Sequence, residues 1–378
     1  MSTLRVSNLQ NEASANNQIT LGTDGFAQIN GVAMPSSGPL SSRNLIVNGG
    51  MQVAQRTTSL AMTSSSGDSY VLDRFLYRIA VGGGGVTYSQ STDAPTGFSN
   101  SLKLDVTTAD TDLGASDQYK LEYRIEGLDV AHLEWGTANA QTITLSFWVK
   151  SNLTGNTQVS VANNSNNRYY VAPFTIDSSN TWEKKTLTIE GDTSGTWSTD
   201  NGIGIRLRWG SFGSSFETSS LDQWVTDTSN QLNQRSDSPI NFISSTSNEF
   251  FITGLQLEVG QVATPFEHRS FGDELRRCQR YFQSMNVANM KFTTARWDQS
   301  SGVGECNVYL RETMRSAPSF AFTGTWDTGG GWGGDPVMTL AREDFVVLTT
   351  TVSTLAASAV KVLRTETAGA TISFAAEL

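Results

Sequence analysis

Apolar and polar side chains alternate along Tyr119-Lys120-Leu121-Glu122-Tyr123-Arg124-Ile125-Glu126, so Tyr119, Leu121, Tyr123 and Ile125 share one face of a strand. The same period returns in Trp182-Glu183-Lys184-Lys185-Thr186-Leu187-Thr188-Ile189. Residues 142–150 are β-branched and aromatic and stop at the polar turn Ser151-Asn152, with Leu145 and Trp148 on opposite faces of their strand. Residues 204–209 and 250–257 add two more runs. Short strands parted by turn clusters, with no helical period between them, predict a jelly-roll β-sandwich over residues 44–270.

The flanking segments differ. In residues 1–43 the apolar positions Leu4, Val6, Leu9, Ile19 and Leu21 are scattered among Ser, Asn, Gln and Gly, and Thr23-Asp24-Gly25 signals a hairpin before a Pro/Ser/Gly linker. So few apolar groups cannot close a core. The segment therefore reads as a docking or oligomerisation element, with a floppy tail as the alternative. After the sandwich, Leu275, Cys278, Phe282 and Met285 are spaced three, four and three, which predicts a connector helix over 271–285. Asp273 and Glu274 favour its N-terminal end. A trimer-axis helix is the other option, but the stripe is short for a coiled coil. Residues 286–378 return to β signals at 303–309, 319–322, 345–348 and 371–374, with a glycine-rich loop at 329–334, and predict a smaller C-terminal β domain. The chain as a whole reads as all-β, without a repeat of fixed period.

Composition sharpens this. Only 16% of the 378 residues are charged and 38% hydrophobic, yet 9 Trp, 9 Tyr and 18 Phe set the chain apart from disordered sequences. A net charge of −10 with no basic run excludes a nucleic-acid partner and disfavours anionic membranes. No apolar run is long enough to span a bilayer, and the first residues lack a signal peptide, so a soluble chain made in a cytoplasm is expected. Cys278 and Cys306 are expected to be reduced, packed thiols.

Catalytic chemistry finds little support. His132 and His268 are far apart, no G-x-S-x-G elbow is present, and no spacing resembles a zinc site. Glu122, Glu126, Asp129 and Glu134 are the only carboxylate group that invites a glycosidase reading. Lys120 and Arg124 interleave with Glu122 and Glu126, which predicts a solvated sheet surface. Gly82-Gly83-Gly84-Gly85 lacks the lysine of a phosphate loop and marks a tight connection or bulge. No cofactor is expected, although Asp105, Asp110, Asp112 and Asp117 offer oxygen ligands for a structural calcium ion. Trp209, Phe212, Phe216 and Trp224 lie in a Gly/Ser-rich stretch, where rings beside polar residues suit sugar stacking; core or subunit-interface packing is the alternative.

Residues 44–56 (Asn44-Leu45-Ile46-Val47-Asn48-Gly49-Gly50-Met51-Gln52-Val53-Ala54-Gln55-Arg56), 70–75, 124–129, 144–150 and 191–197 resemble segments of bacteriophage tail-fibre and tail-associated proteins. The closest likeness runs from Ile252-Thr253-Gly254-Leu255-Gln256-Leu257-Glu258-Val259-Gly260 through residues 263–269 to 278–282. It covers about 44–285 and is looser at 314–318 and 376–378. The resemblance implies a jelly roll similar to carbohydrate-binding modules, on a trimeric virion appendage assembled in the host cytoplasm. Its N-terminal segment would dock to another virion protein, and host surface polysaccharide would be the ligand. It carries no mapped sugar site. The expectation is thus a non-enzymatic tail fibre attaching to host glycan. A head fibre, decoration or adaptor protein without ligand is the alternative, and a glycan depolymerase is a further one.

Overall fold

A computed structural model describes residues 41–287 except 65, 228–233 and 238, and 303–378 except 325, 328–334, 352–361 and 366–369, together with short strands elsewhere. Strands β1 (Asn8–Gln10), β2 (Asn17–Leu21), β3 (Ala27–Ile29) and β4 (Val32–Ala33) form an antiparallel sheet in chain order. The expected hairpin is present as the β2–β3 pair. Leu9 pairs with Ile19 and Leu21 with Ala27. Leu4 and Val6 lie outside the described residues. The chain divides into two compact units, Met1–Arg269 and Ser270–Leu378.

After the β1–β4 sheet, the rest of the first unit is a two-sheet antiparallel jelly roll. Its strands are β5 (Ser59–Thr63), β6 (Ser69–Tyr70), β7 (Phe75–Ala80), β8 (Gly85–Ser91), β9 (Ser101–Thr108), β10 (Gln118–Glu126), β11 (Ile143–Ser151), β12 (Gly155–Ala162), β13 (Arg168–Ile176), β14 (Glu183–Ile189), β15 (Ile203–Phe212), β16 (Trp224–Thr226) and β17 (Glu249–Val259). One sheet runs β16-β13-β12-β15-β10-β7-β6 and the other β14-β11-β17-β9-β8-β5. The alternation that predicted β10 is visible in the core: Tyr119, Leu121, Tyr123 and Ile125 are buried in one cluster with Ile143, Leu145, Phe147 and Val149 of β11. Each such fully buried side chain contributes roughly 1.5–3 kcal/mol. Trp148, on the other face of β11, is half-buried.

The segments that carry the resemblance are structural joints. Asn44 ties the chain's entry to β17: its amide nitrogen donates to the Leu255 carbonyl (2.9 Å), and its oxygen accepts from Ile46 N and Leu257 N. Asn48, at φ 63°, binds Val53 twice and the Asp73 carbonyl once. A Cβ on Gly49 would lie 2.1 Å from the Leu255 carbonyl oxygen, so only glycine fits. Glu258 accepts from the backbone and hydroxyl of Thr264 (2.9 and 2.6 Å), and Glu267 accepts from Asn44 N (2.9 Å). Arg168 grips Asp192 with both Nε and Nη2 (2.7 and 2.6 Å). Buried polar groups of this kind must be paired, and here they fix one arrangement of the loops.

In the second unit, helix α1 spans Phe271–Gln279, shorter than the 271–285 expected. Ser270 caps it by accepting from Asp273 N, and Asp273 and Glu274 occupy the first turn. Phe282 and Met285 belong instead to β18 (Phe282–Asn286), because Phe282–Asn286 pairs with Thr371–Ala375. Ladder bonds to that strand outweigh one more helical turn. The remaining strands, among them Val303–Tyr309, Ser319–Phe322, Val337–Ala341 and Phe345–Thr351, make small antiparallel sheets over a separate core of Val308, Met314, Val346, Leu348, Ile372 and Phe374. Cys278 and Cys306 are both buried, and burial pushes the Cys306 thiol up to about 11.

Candidate functional site

The outward face of the seven-stranded sheet is polar and charged, and strand register assembles it. Opposite Glu122 on β10 stands Arg208 on β15, and opposite Arg208 stands Ser160 on β12. One row along, Arg124, Arg206 and Ala162 align, then Tyr169 of β13; in the other direction Arg78, Lys120 and Gly210 align. Residues directly opposed in antiparallel strands share a face, so these side chains converge.

Glu122 is the centre of the group. It is 0% exposed and accepts from Lys120 Nζ (3.1 Å), Arg124 Nε (2.5 Å), Arg206 Nη1 (2.7 Å) and Arg208 Nε (2.7 Å). Burial alone would raise its pKa, but Arg208, Lys120, Arg124 and Arg206 outweigh burial and hold the carboxyl well below its usual range. Lys120 is pulled down to about 8, chiefly by burial, with Glu122 opposing and Arg208 adding to the fall. The Tyr169 phenol is raised to about 12, first by burial. Asn164 and Asn166 hold the outer guanidinium nitrogens of Arg206 and Arg208 (3.2 and 2.7 Å). The segment Gln234–Ser236 lies over the same face, since Ser236 Oγ donates to Gln158 Oε1 (3.2 Å) and Arg235 donates to the Phe212 carbonyl (2.9 Å).

The solvated surface expected here is therefore a buried ion-pair network. Alternation within β10 could not reveal it, because the residues that close over Glu122, from Asn164 and Asn166 to Arg206, Arg208 and Ser236, come from other strands and loops far along the chain. Its cations hold Glu122 ionised, the opposite of the raised pKa that a general acid needs.

The aromatic candidates do not form one site. Trp209 is 2% exposed and sits on the core face, edge-on to Phe147 at 6.0 Å. Phe212 and Phe216 are buried against each other, centroids 6.1 Å apart. Trp224, half-buried, is wedged among Trp135, Trp197 and Tyr170 at 5.2–5.3 Å and donates its indole N–H to the Glu190 carbonyl. Trp209, Phe212 and Phe216 thus have no face for a sugar ring; β15 runs on to Phe212, and its alternation sends Trp209 inward. The four aspartates are also dispersed. Asp105 pairs with Lys103, Asp110 accepts from Tyr119 Oη (2.6 Å), Asp117 accepts from Gly114 N (2.8 Å) and Asp112 is exposed. Among the described residues no three His, Cys, Asp or Glu side chains gather as metal ligands.

The six-stranded sheet presents a second, more aromatic outward face. Lys150 of β11, Phe251 of β17 and Lys103 of β9 align across it. Lys150 lies over both the Phe251 and Trp182 rings (4.5 and 5.5 Å) and pairs with Asp93, which also accepts the Trp182 indole N–H. Trp182 opened a predicted strand without entering the expected sugar site.

No protein-family model matches the sequence, and no curated protein matches it. Among solved structures it is similar to the enzymatically active domain of tailspike protein 4 of bacteriophage CBA120, at 13% identity over 57% of this chain and 21% of that one, TM-score 0.29. The chain thus spans about a fifth of the tailspike chain. It is also similar to a protein from Bacteroides thetaiotaomicron VPI-5482 named "a putative sugar binding protein" (14% identity, 57% of this chain, 100% of that one, TM-score 0.32). A third is the family 11 carbohydrate-binding module from Clostridium thermocellum in complex with a β-1,3-1,4-mixed-linked tetrasaccharide (12% identity, 55% and 99%, TM-score 0.27). Similarity at this level bears on neither ligand nor assembly.

Proposed function

We propose that the protein is a bacteriophage virion appendage, a trimeric tail fibre that binds host surface glycan without cleaving it. The observation that carries the binding role is the outward face of the seven-stranded sheet. Arg124 and Arg206 keep exposed surface there, with Arg208, Ser160, Tyr169 and Gln158 buried behind them on rigid strands, so hydrogen-bond donors gather at one edge. Rigid strands hold polar groups in place at little entropic cost on binding, which suits recognition of a hydroxyl-rich ligand. The virion role rests on the sequence resemblance over residues 44–285, whose motifs act here as the joints of the sandwich. Several copies held together would turn weak contacts at each face into firm attachment.

A ligand-free spacer is the competing reading, favoured by the complete burial of Glu122. The two separate in one experiment. The full chain is titrated against purified host surface polysaccharides, with binding and release of reducing ends followed together. Binding without release is the expected outcome. Release would make the protein a depolymerase, and absence of both would leave the spacer.

A further inference from the structure

The chemistry left over on the seven-stranded face is of one kind. Four cationic side chains close on the one carboxylate of Glu122, with Asp68 3.8 Å from Arg124 and Asp227 near Tyr169 at the edges of the group. Confining unbalanced charge where water is scarce is costly, so a cluster of this composition gains from a further negative charge. The unused hydrogen-bond valences agree. Arg206 Nε is a buried N–H donor with no partner, Arg208 has only the Tyr169 phenol beside its remaining donor, and the Ser160 hydroxyl, level with Arg208 in the register, has no partner either. Arg208 is 2% exposed and Ser160 0%. Gln234, in the segment over this face, is also 0% exposed and leaves both ends of its amide unpaired. Unpaired donors on guanidinium groups are satisfied best by an anionic oxygen, and a guanidinium fork matches a carboxylate or sulfate.

We infer that this face takes an acidic saccharide, one whose carboxylate or sulfate group is held by Arg206 and Arg208 with Ser160 beside them. The inference rests on the glycan-binding reading above and narrows it to a substrate class. Arg124 and Arg206, whose side chains keep 17% and 12% of their surface, form the edge by which the ligand reaches the cluster. The overall charge of −10 works against indiscriminate attraction of polyanions, so binding of an acidic chain would report this face rather than the protein's net field.

The test uses the full chain with polygalacturonate and alginate as carboxylate probes, heparin as the sulfate probe, and dextran and mannan as neutral ones. The two uronic acid polymers are also presented after chemical reduction of their carboxyl groups. At least one native acidic polymer is expected to bind. For a carboxylate polymer, affinity should fall tenfold or more on reduction. Binding confined to heparin would assign the group as sulfate. Equal binding of native and reduced forms, or binding to the neutral polymers alone, would overturn the acidic assignment and leave glycan binding standing. Binding to none would overturn both. Two variants locate the site. Arg206→Gln is expected to weaken binding of the acidic polymer tenfold or more. Ser160→Ala removes a hydroxyl with no partner in the fold, so it should melt no lower than the parent yet bind more weakly. Unchanged affinity in both variants would overturn the placement.

Discussion

At the scale of single residues the decisive side chain is Glu122. One carboxylate buried with four cationic partners is a switch point for stability: without it, the four like charges have no common counter-charge. Glu122→Gln is expected to destabilise the first unit by about 3–5 kcal/mol, read as a lowered denaturation midpoint, because it leaves buried cations uncompensated. A loss under about 1 kcal/mol would mean that the network is peripheral to the fold. Lys120 gives a pH signature. Its pKa falls from the ordinary lysine value to about 8 in the folded chain, so between about 8 and 10 the unfolded chain binds more protons. This group therefore adds stability as pH rises through that window. Against a Lys120→Met variant, the wild type should gain in urea midpoint from pH 7 to 9.5; a constant gap would contradict the shifted lysine. The alternation of Lys120, Glu122, Arg124 and Glu126 was plain in the sequence. Their burial was not, since it depends on residues such as Arg208, Asn166 and Ser236 that other strands and loops bring over them.

At the scale of elements, strands were legible wherever the period of two was clean. β10, β11, β14 and β17 lie within a residue or two of their expected positions, and parity put Leu145 and Trp148 on opposite faces, though only the fold shows that Leu145 is the one in the core. The helix was overextended because apolar residues at three- and four-residue spacing also suit a strand beginning at Phe282, and only the partner strand Thr371–Ala375 decides between them. The aromatic stretch misled for a related reason. A Gly/Ser-rich context signals turns, yet Trp209 precedes the turn and continues the inward set Ile205 and Leu207. Trp209→Ala should cost about 3–5 kcal/mol through the cavity it leaves, measured by chemical denaturation. A near-neutral effect on stability with loss of glycan binding would restore Trp209 to the ligand site.

At the scale of the whole molecule, the sandwich is a scaffold with two unlike outward faces, one a network of cations about Glu122 and the other a row of Lys150, Phe251 and Lys103 beside Trp182. The virion role makes a separate prediction. The purified chain should scatter light as a trimer at micromolar concentration, and a monomer would count against a fibre. All-β character and the sandwich could be read from periodicity; which face serves function could not, because both faces are made from strands that look alike in sequence. The most direct measurement compares two variants on the polysaccharide that the wild type binds best. Arg206→Gln should weaken binding tenfold or more while Trp182→Ala, on the opposite sheet, leaves it unchanged. Loss in Trp182→Ala with full affinity in Arg206→Gln would contradict the account and move the site to the aromatic face.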